Sequence, residues 1–272
     1  MTGPNASRQH QRSIDKYPLG WFGPEHRTRT VSAVNPDAHA DDRTLVLAFY
    51  VVVDVSYSMD QSGAIDKANK ILPQVADAID TSPTLGDLVR FGAIDFSDDA
   101  RVVLRLGDLR DVHAALPVFE ARGGTSFAAA FRLLRQEIDR DLAQLRGDNF
   151  RVYRPAVFFI TDGIPTDDEG DLHRAFAELT DPSFRGRPNI IPFGVGDATK
   201  ELLDLWVYPK PGESKKPMRS YVAKDGMDAA KAVGQIAEVL VSSIVASAGS
   251  VSAEGSSGGF VPPADEDLED WI

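Results

Sequence analysis

Asp54, Ser56 and Ser58 alternate along the stretch DVSYSM, directly after the apolar run LVLAFYVVV. One carboxylate and two hydroxyls thus leave a buried segment together. In an extended chain alternate residues point to one side, so the three oxygens are expected to share a direction. Two further polar turns offer the same chemistry. GGTS (Gly123–Ser126) contributes the hydroxyl of Thr125, and TDG, after the apolar run PAVFFI, contributes the carboxylate of Asp162. The set is all oxygen, with two negative charges and neither sulfur nor imidazole. Such donors suit a hard divalent cation: Mg²⁺ first, with Mn²⁺ or Ca²⁺ admissible. Three hydroxyls in contact and two carboxylates holding waters leave a coordination position for an outside oxygen. Taken singly, each turn has a bland reading as a helix cap or an ordinary turn. The force of the pattern lies in all three falling at one predicted edge.

That edge follows from the elements. LVLAFYVVV is continuous, β-branched and aromatic, as a strand covered on both faces must be. A helix is expected over about 63–80, bent or interrupted at Pro73. Residues 88–97 and 100–107 read as a hairpin, and a short helix follows at 109–116. A long amphipathic helix is expected over 127–145, a strand over 155–161, a helix over 170–179 and a strand over 189–196. A short helix near 202–207, a short strand near 219–222 and a last helix over 227–246 complete the series. Alternating strands and helices specify an α/β fold. It is an open, mostly parallel sheet of about six strands with one antiparallel edge strand and helices on both faces. In such sheets ligands bind at the carboxyl ends of the strands, where DVSYS and TDG emerge.

The chain has 272 residues, 43% of them hydrophobic, which is enough for one core of roughly 200 residues with extensions at either end. The organisation expected is an N-terminal extension over 1–43, a domain over 44–247 and, over 248–272, a flexible Ser/Gly linker with an acidic tail ending in Trp271 and Ile272. The absence of cysteine excludes disulfides, thiol nucleophiles and cysteine-bound zinc. A net charge of −12 argues against a nucleic-acid partner. No run reaches the ~18 apolar residues of a membrane span, and the first residues lack the apolar core of a signal peptide. The expectation is a cytoplasmic protein with neither nucleic-acid nor membrane partners.

DVSYSM, GGTSF and TDGIPTD, in this order, resemble the von Willebrand factor type A (vWA) domain with its metal-ion-dependent adhesion site. The resemblance covers about residues 44–247. PAVFFITDGIPTDD, GGTSFAAAFRLL and VGQIAEVLVSSIVAS are similar to the bacterial intracellular branch of tellurium-resistance TerY-type proteins. The resemblance implies that Ser56, Ser58 and Thr125 bind the metal directly, while Asp54 and Asp162 act mainly through waters or hydrogen bonds. It also implies a non-enzymatic module that captures a partner's Asp or Glu, in a bacterial stress-response or metal-resistance complex. Tyr57 departs from the family, which usually has a small residue between the two serines. The chain's own acidic tail is a second candidate for the open position. The rival class is a Mg²⁺-dependent phosphotransferase or phosphatase of haloacid-dehalogenase type. That chemistry needs a second Asp two residues after the first, where this chain has Ser56. A serine-hydrolase elbow is approached only by GTSFA, which does not leave a buried strand. The acidic runs Ser97–Asp99 and Asp167–Asp171 are read as solvated loops.

Overall fold

A computed structural model of the chain describes residues 43–112, 115–213, 217–255, 258–264, 268 and 270–272. The first strand, β1 (Thr44–Asp54), is buried from Val46 to Asp54. Its side chains alternate between two cores. Leu47, Phe49, Val51 and Val53 enter one apolar cluster, while Ala48, Tyr50 and Val52 enter another on the opposite face. This double coverage explains the uninterrupted apolar sequence, because no face of the strand meets water. Each fully buried large side chain contributes about 1.5–3 kcal/mol.

The sequence from Tyr57 forms three short helices, α1 (Tyr57–Gln61), α2 (Ala64–Ala68) and α3 (Ile71–Asp80); the last two replace the one helix expected over 63–80, and α1 was not expected. Pro73 sits in the first turn of α3, where its missing N–H costs no helical bond. The break therefore falls before the proline rather than at it. Helix α4 (Pro83–Leu88) leads into β2 (Val89–Phe96), which pairs antiparallel with β3 (Ala100–Gly107) as the expected hairpin. Where a helix was anticipated at 109–116, the described residues include a 3₁₀ turn at Leu109–Asp111. Then come α5 (Phe127–Gly147), β4 (Phe150–Val152), β5 (Ala156–Thr161), α6 (Glu169–Thr180), β6 (Asn189–Gly194), α7 (Lys200–Asp204), β7 (Tyr221–Val222) and α8 (Ala229–Glu254).

The sheet has seven strands in the order β3-β2-β1-β5-β6-β7, with β4 pairing the start of β1. All pairings are parallel except β2 with β3. The inner faces of α2, α3 and α8 share one core cluster, and those of α5 and α6 the other. Helix α8 is long and apolar enough to cross a membrane by length and composition, but it packs against α2 and α3.

The C-terminal region differs from the flexible linker and tail expected from residue 248. Helix α8 continues to Glu254. The following segment folds back on it: the Val261 N–H donates to Ser247 Oγ at 2.9 Å, and Ser243 Oγ donates to the Val261 carbonyl. A side-chain carbon on Gly258 would lie 2.4 Å from the Ser250 carbonyl oxygen, so only glycine fits that approach. Phe260 packs edge-on to Phe49 and Phe158. Trp271 is buried against Phe193, and Ile272 exchanges two backbone hydrogen bonds with Val222 of β7. Serine and glycine here allow close packing, where composition alone suggested slack. Residues 1–42, and with them nearly all of the expected N-terminal extension, lie outside the described residues.

Candidate metal centre

Asp54 is the last residue of β1 and is fully buried. Its two oxygens are both engaged: Oδ1 accepts the Ser56 N–H at 2.9 Å, and Oδ2 accepts the hydroxyl of Thr161 at 2.7 Å. The carboxylate is thereby aimed by its own chain two residues on and by the neighbouring strand β5. Ser56 stands at the N-cap position of α1, and Ser58 lies inside that helix. The extended geometry expected for DVSYS is therefore wrong beyond Ser56, because the chain turns into helix at Tyr57. The two hydroxyls still meet, with Ser56 Oγ and Ser58 Oγ 3.0 Å apart. Ser58 Oγ donates to Asp162 Oδ1 at 2.9 Å, which joins the first turn to the third across 104 residues of sequence.

Asp162 follows β5, and its backbone carbonyl accepts the Asp197 N–H at 3.0 Å. Thr125 is buried in the loop before α5, and its carbonyl accepts the Thr166 N–H at 2.8 Å. A side-chain carbon placed on Gly163 would lie 3.9 Å from Thr125 Oγ1, so the threonine hydroxyl faces the TDG turn. The structure thus brings together Asp54, Ser56, Ser58, Thr125 and Asp162, at the carboxyl ends of β1 and β5.

Burial is the main influence on both carboxylates. It pushes the Asp54 carboxyl up to about 6, against the hydrogen bonds from Thr161 and Ser56, with the charge of Asp162 adding to the rise. Burial likewise raises Asp162 above the usual carboxylate range, opposed by the Ser58 hydroxyl and helped by the charge of Asp197. Among the described residues neither acid forms an ion pair with lysine or arginine, and Thr125 Oγ1 has no hydrogen-bond partner. Nor do the described residues contain a cluster of three or more Asp, Glu or His side chains able to hold a metal. A cation here would depend on the hydroxyls, as the sequence pattern requires. Two buried acids and three converging hydroxyls, one of them unpartnered, fit a small divalent cation.

Residues read from sequence as solvated loop turn out to hold the Thr125 loop. Asp98 Oδ1 accepts the Gly124 N–H at 2.9 Å. Gly123 has a φ of +56° and lies so close to Asp98 that a side-chain carbon would be 2.4 Å from its carboxylate. Asp167 accepts the Ser126 hydroxyl and the Ala128 N–H. Arg122 bridges Asp95 at 2.7 Å and also pairs with Asp99 and Ser97. Thr161 was missed as well. The available signal was its hydroxyl at the end of an otherwise apolar strand, immediately before Asp162.

Residues 49–164 match the family model of the von Willebrand factor type A domain, a segment that contains all five candidate ligands. This is a von Willebrand factor type A fold. Among solved structures, proximal thread matrix protein 1 from the mussel byssus is similar, with 15% identity and a TM-score of 0.50 over 75% of this chain and 49% of that one. The pilus adhesin SpaC from Lactobacillus rhamnosus GG has 16% identity and a TM-score of 0.51 over 75% of this chain and 31% of that one. The chain therefore spans less than half the length of either structure, and at these identities the likeness is one of fold. A search of curated proteins gives no match.

Of the tail acids considered for the candidate metal site, Asp270 is committed elsewhere. It accepts Gln235 Nε2 at 3.0 Å and lies 3.8 Å from Lys231 Nζ. Asp265, Glu266, Asp267 and Glu269 lie outside the described residues.

Proposed function

We propose that this chain is a metal-dependent protein-interaction module without catalysis of its own. Ser56, Ser58 and Thr125 are the direct ligands in this reading, and Asp54 and Asp162 orient them and hold waters. Mg²⁺ is the first choice of ion, with Mn²⁺ or Ca²⁺ admissible. A bound cation of this kind supplies an electrophilic position for an oxygen from outside the chain. The protein's own groups do the rest. Asp54 fixes the Ser56 backbone, Ser58 ties α1 to Asp162, and the Asp98 and Arg122 contacts hold the Thr125 loop in register. The partner offers an Asp or Glu side chain to the open position.

The single observation that carries this reading is the convergence of Ser56, Ser58 and Asp162 within 3.0 Å contacts at the sheet edge, with Asp54 locked beneath them. The same observation weighs against the phosphotransferase alternative. A nucleophilic Asp needs a free oxygen facing substrate, whereas Asp54 is fully buried with both oxygens occupied. Residues flanking the site are exposed and apolar, notably Tyr57 and Ile164, which suits the centre of a protein contact. The resemblance to TerY-type proteins supports a cytoplasmic place in a bacterial stress-response or tellurite-resistance complex.

A pull-down in Mg²⁺ against chelator, repeated with Ser56→Ala/Ser58→Ala, tests the proposal. Partners captured only by the wild type with Mg²⁺ support it, and equal capture under all conditions sinks it. Turnover of generic phosphate esters that is abolished by Asp54→Asn would instead establish the enzyme reading.

A further inference from the structure

A cavity of about 480 Å³ lies at the opposite end of β5, where Arg154 precedes the strand. The six residues of β5 separate it from Asp162, roughly 20 Å at the rise of an extended chain. Arg154, Arg187 and Lys210 line it, with Phe176, Thr180 and Tyr208 among the other walls. Arg187 is fixed by its own loop: Nη1 donates to the carbonyls of Pro182 at 2.9 Å and Phe184 at 3.2 Å. The Arg154 guanidinium lies 6.0 Å from the centre of the Tyr208 ring. Glu213, the acid of this lining, spends an oxygen on the Lys210 N–H at 2.9 Å.

Arg101, Arg110, Arg122, Arg132 and Arg140 each rest on carboxylates. Among the described residues, Arg154 and Arg187 form no ion pair. Partial burial, and next the like charge of Arg187, hold the Arg154 guanidinium below its ordinary range. Two guanidiniums without a carboxylate among the described residues share one cavity wall in a protein of net charge −12, and beyond the Arg187 Nη1 bonds to its own loop their N–H groups remain as forked donors. Phosphate matches that fork, since guanidinium pairs bind its oxygens in parallel. The cavity is larger than a phosphate alone, and its volume falls in the range of small-molecule sites, about 300–1,000 Å³. Phe176 and Tyr208 provide aromatic surface for the remainder.

We propose that this cavity binds a phosphorylated small molecule, with its phosphate between Arg154 and Arg187 and a flat ring against Tyr208 and Phe176. This site is independent of the metal edge. The test is calorimetric titration of the full chain, in chelator, with inorganic phosphate and with adenosine monophosphate as probes. Both bind, the nucleotide more tightly, and Arg154→Ala weakens both by about tenfold or more, while Arg154→Lys retains part of the affinity. Arg154 donates to no backbone carbonyl among the described residues, so its removal spares the fold, which an unchanged unfolding midpoint verifies. Arg187→Ala gives a second, independent loss. The proposal is overturned if the wild type binds neither probe, if both alanine variants bind as the wild type does, or if binding needs added Mg²⁺.

Discussion

At the scale of single residues, the site depends on how Asp54 is held. A buried carboxylate without a cation must be satisfied by neutral donors; the Thr161 hydroxyl and the Ser56 N–H supply them, one to each oxygen. Thr161→Val keeps the strand shape but removes that donor, so a loss of about 1–3 kcal/mol is expected, measured by denaturant unfolding of the metal-free protein. Tyr57 is a different case. It lies between the two candidate ligand serines, yet it is 59% exposed, so its ring faces outward rather than packing beneath the site. Tyr57→Gly should leave Mg²⁺ affinity within about threefold, while partner affinity falls by about tenfold or more, as loss of an exposed aromatic contact does. Parallel titrations of metal and partner separate the two effects. The five ligand candidates were legible in the sequence because carboxylate and hydroxyl side chains stood where apolar strands ended. Their supports Asp98, Asp167 and Thr161 were not, because each acts by one hydrogen bond across a loop, and no periodicity marks such a bond.

At the scale of elements, the parallel strands and α5 were readable because burial on two faces, or on one stripe, writes itself into the residue order. Strand β4 and helix α4 carry three and six residues, too few to establish a period. The helix expected over 63–80 is instead α2 and α3, parted at Asn69 and Lys70, while Gly63, with a φ of +70°, separates α2 from the unforeseen α1. The C-terminal segment was misjudged for another reason. Composition reports the intrinsic flexibility of Ser and Gly, whereas order there comes from Phe260, Leu268 and Trp271, which are buried in the main core. Trp271→Ala should therefore destabilise the domain by about 3 kcal/mol, read as a lower urea midpoint. A mobile tail would show no change. The loop before α5 has its own sensitivity. Gly123→Ala should cost at least about 1 kcal/mol for the left-handed backbone, with a further loss from displacing Asp98. It should also weaken metal binding by disturbing Thr125, which a Mg²⁺ titration of the folded variant will detect.

At the scale of the whole molecule, the sheet separates two kinds of surface. Its carboxyl edge gathers hydroxyls and buried acids, and the amino end of β5 presents unpaired arginines to a cavity. The first suits a cation shared with an acidic partner and the second suits a phosphate, so the two ends are expected to act without competing. The net negative charge favours retention of a divalent cation, while it would slow encounter with an acidic partner at low salt. The central claim is that the oxygens of DVSYSM, GGTS and TDG form one metal site. Calorimetric titration of Mg²⁺ into the folded wild type and into Ser56→Ala/Ser58→Ala tests it most directly. The account predicts a single saturable site in the wild type that is lost in the double variant at an unchanged fold. Equal Mg²⁺ binding by the two proteins, or none by the wild type, would contradict it.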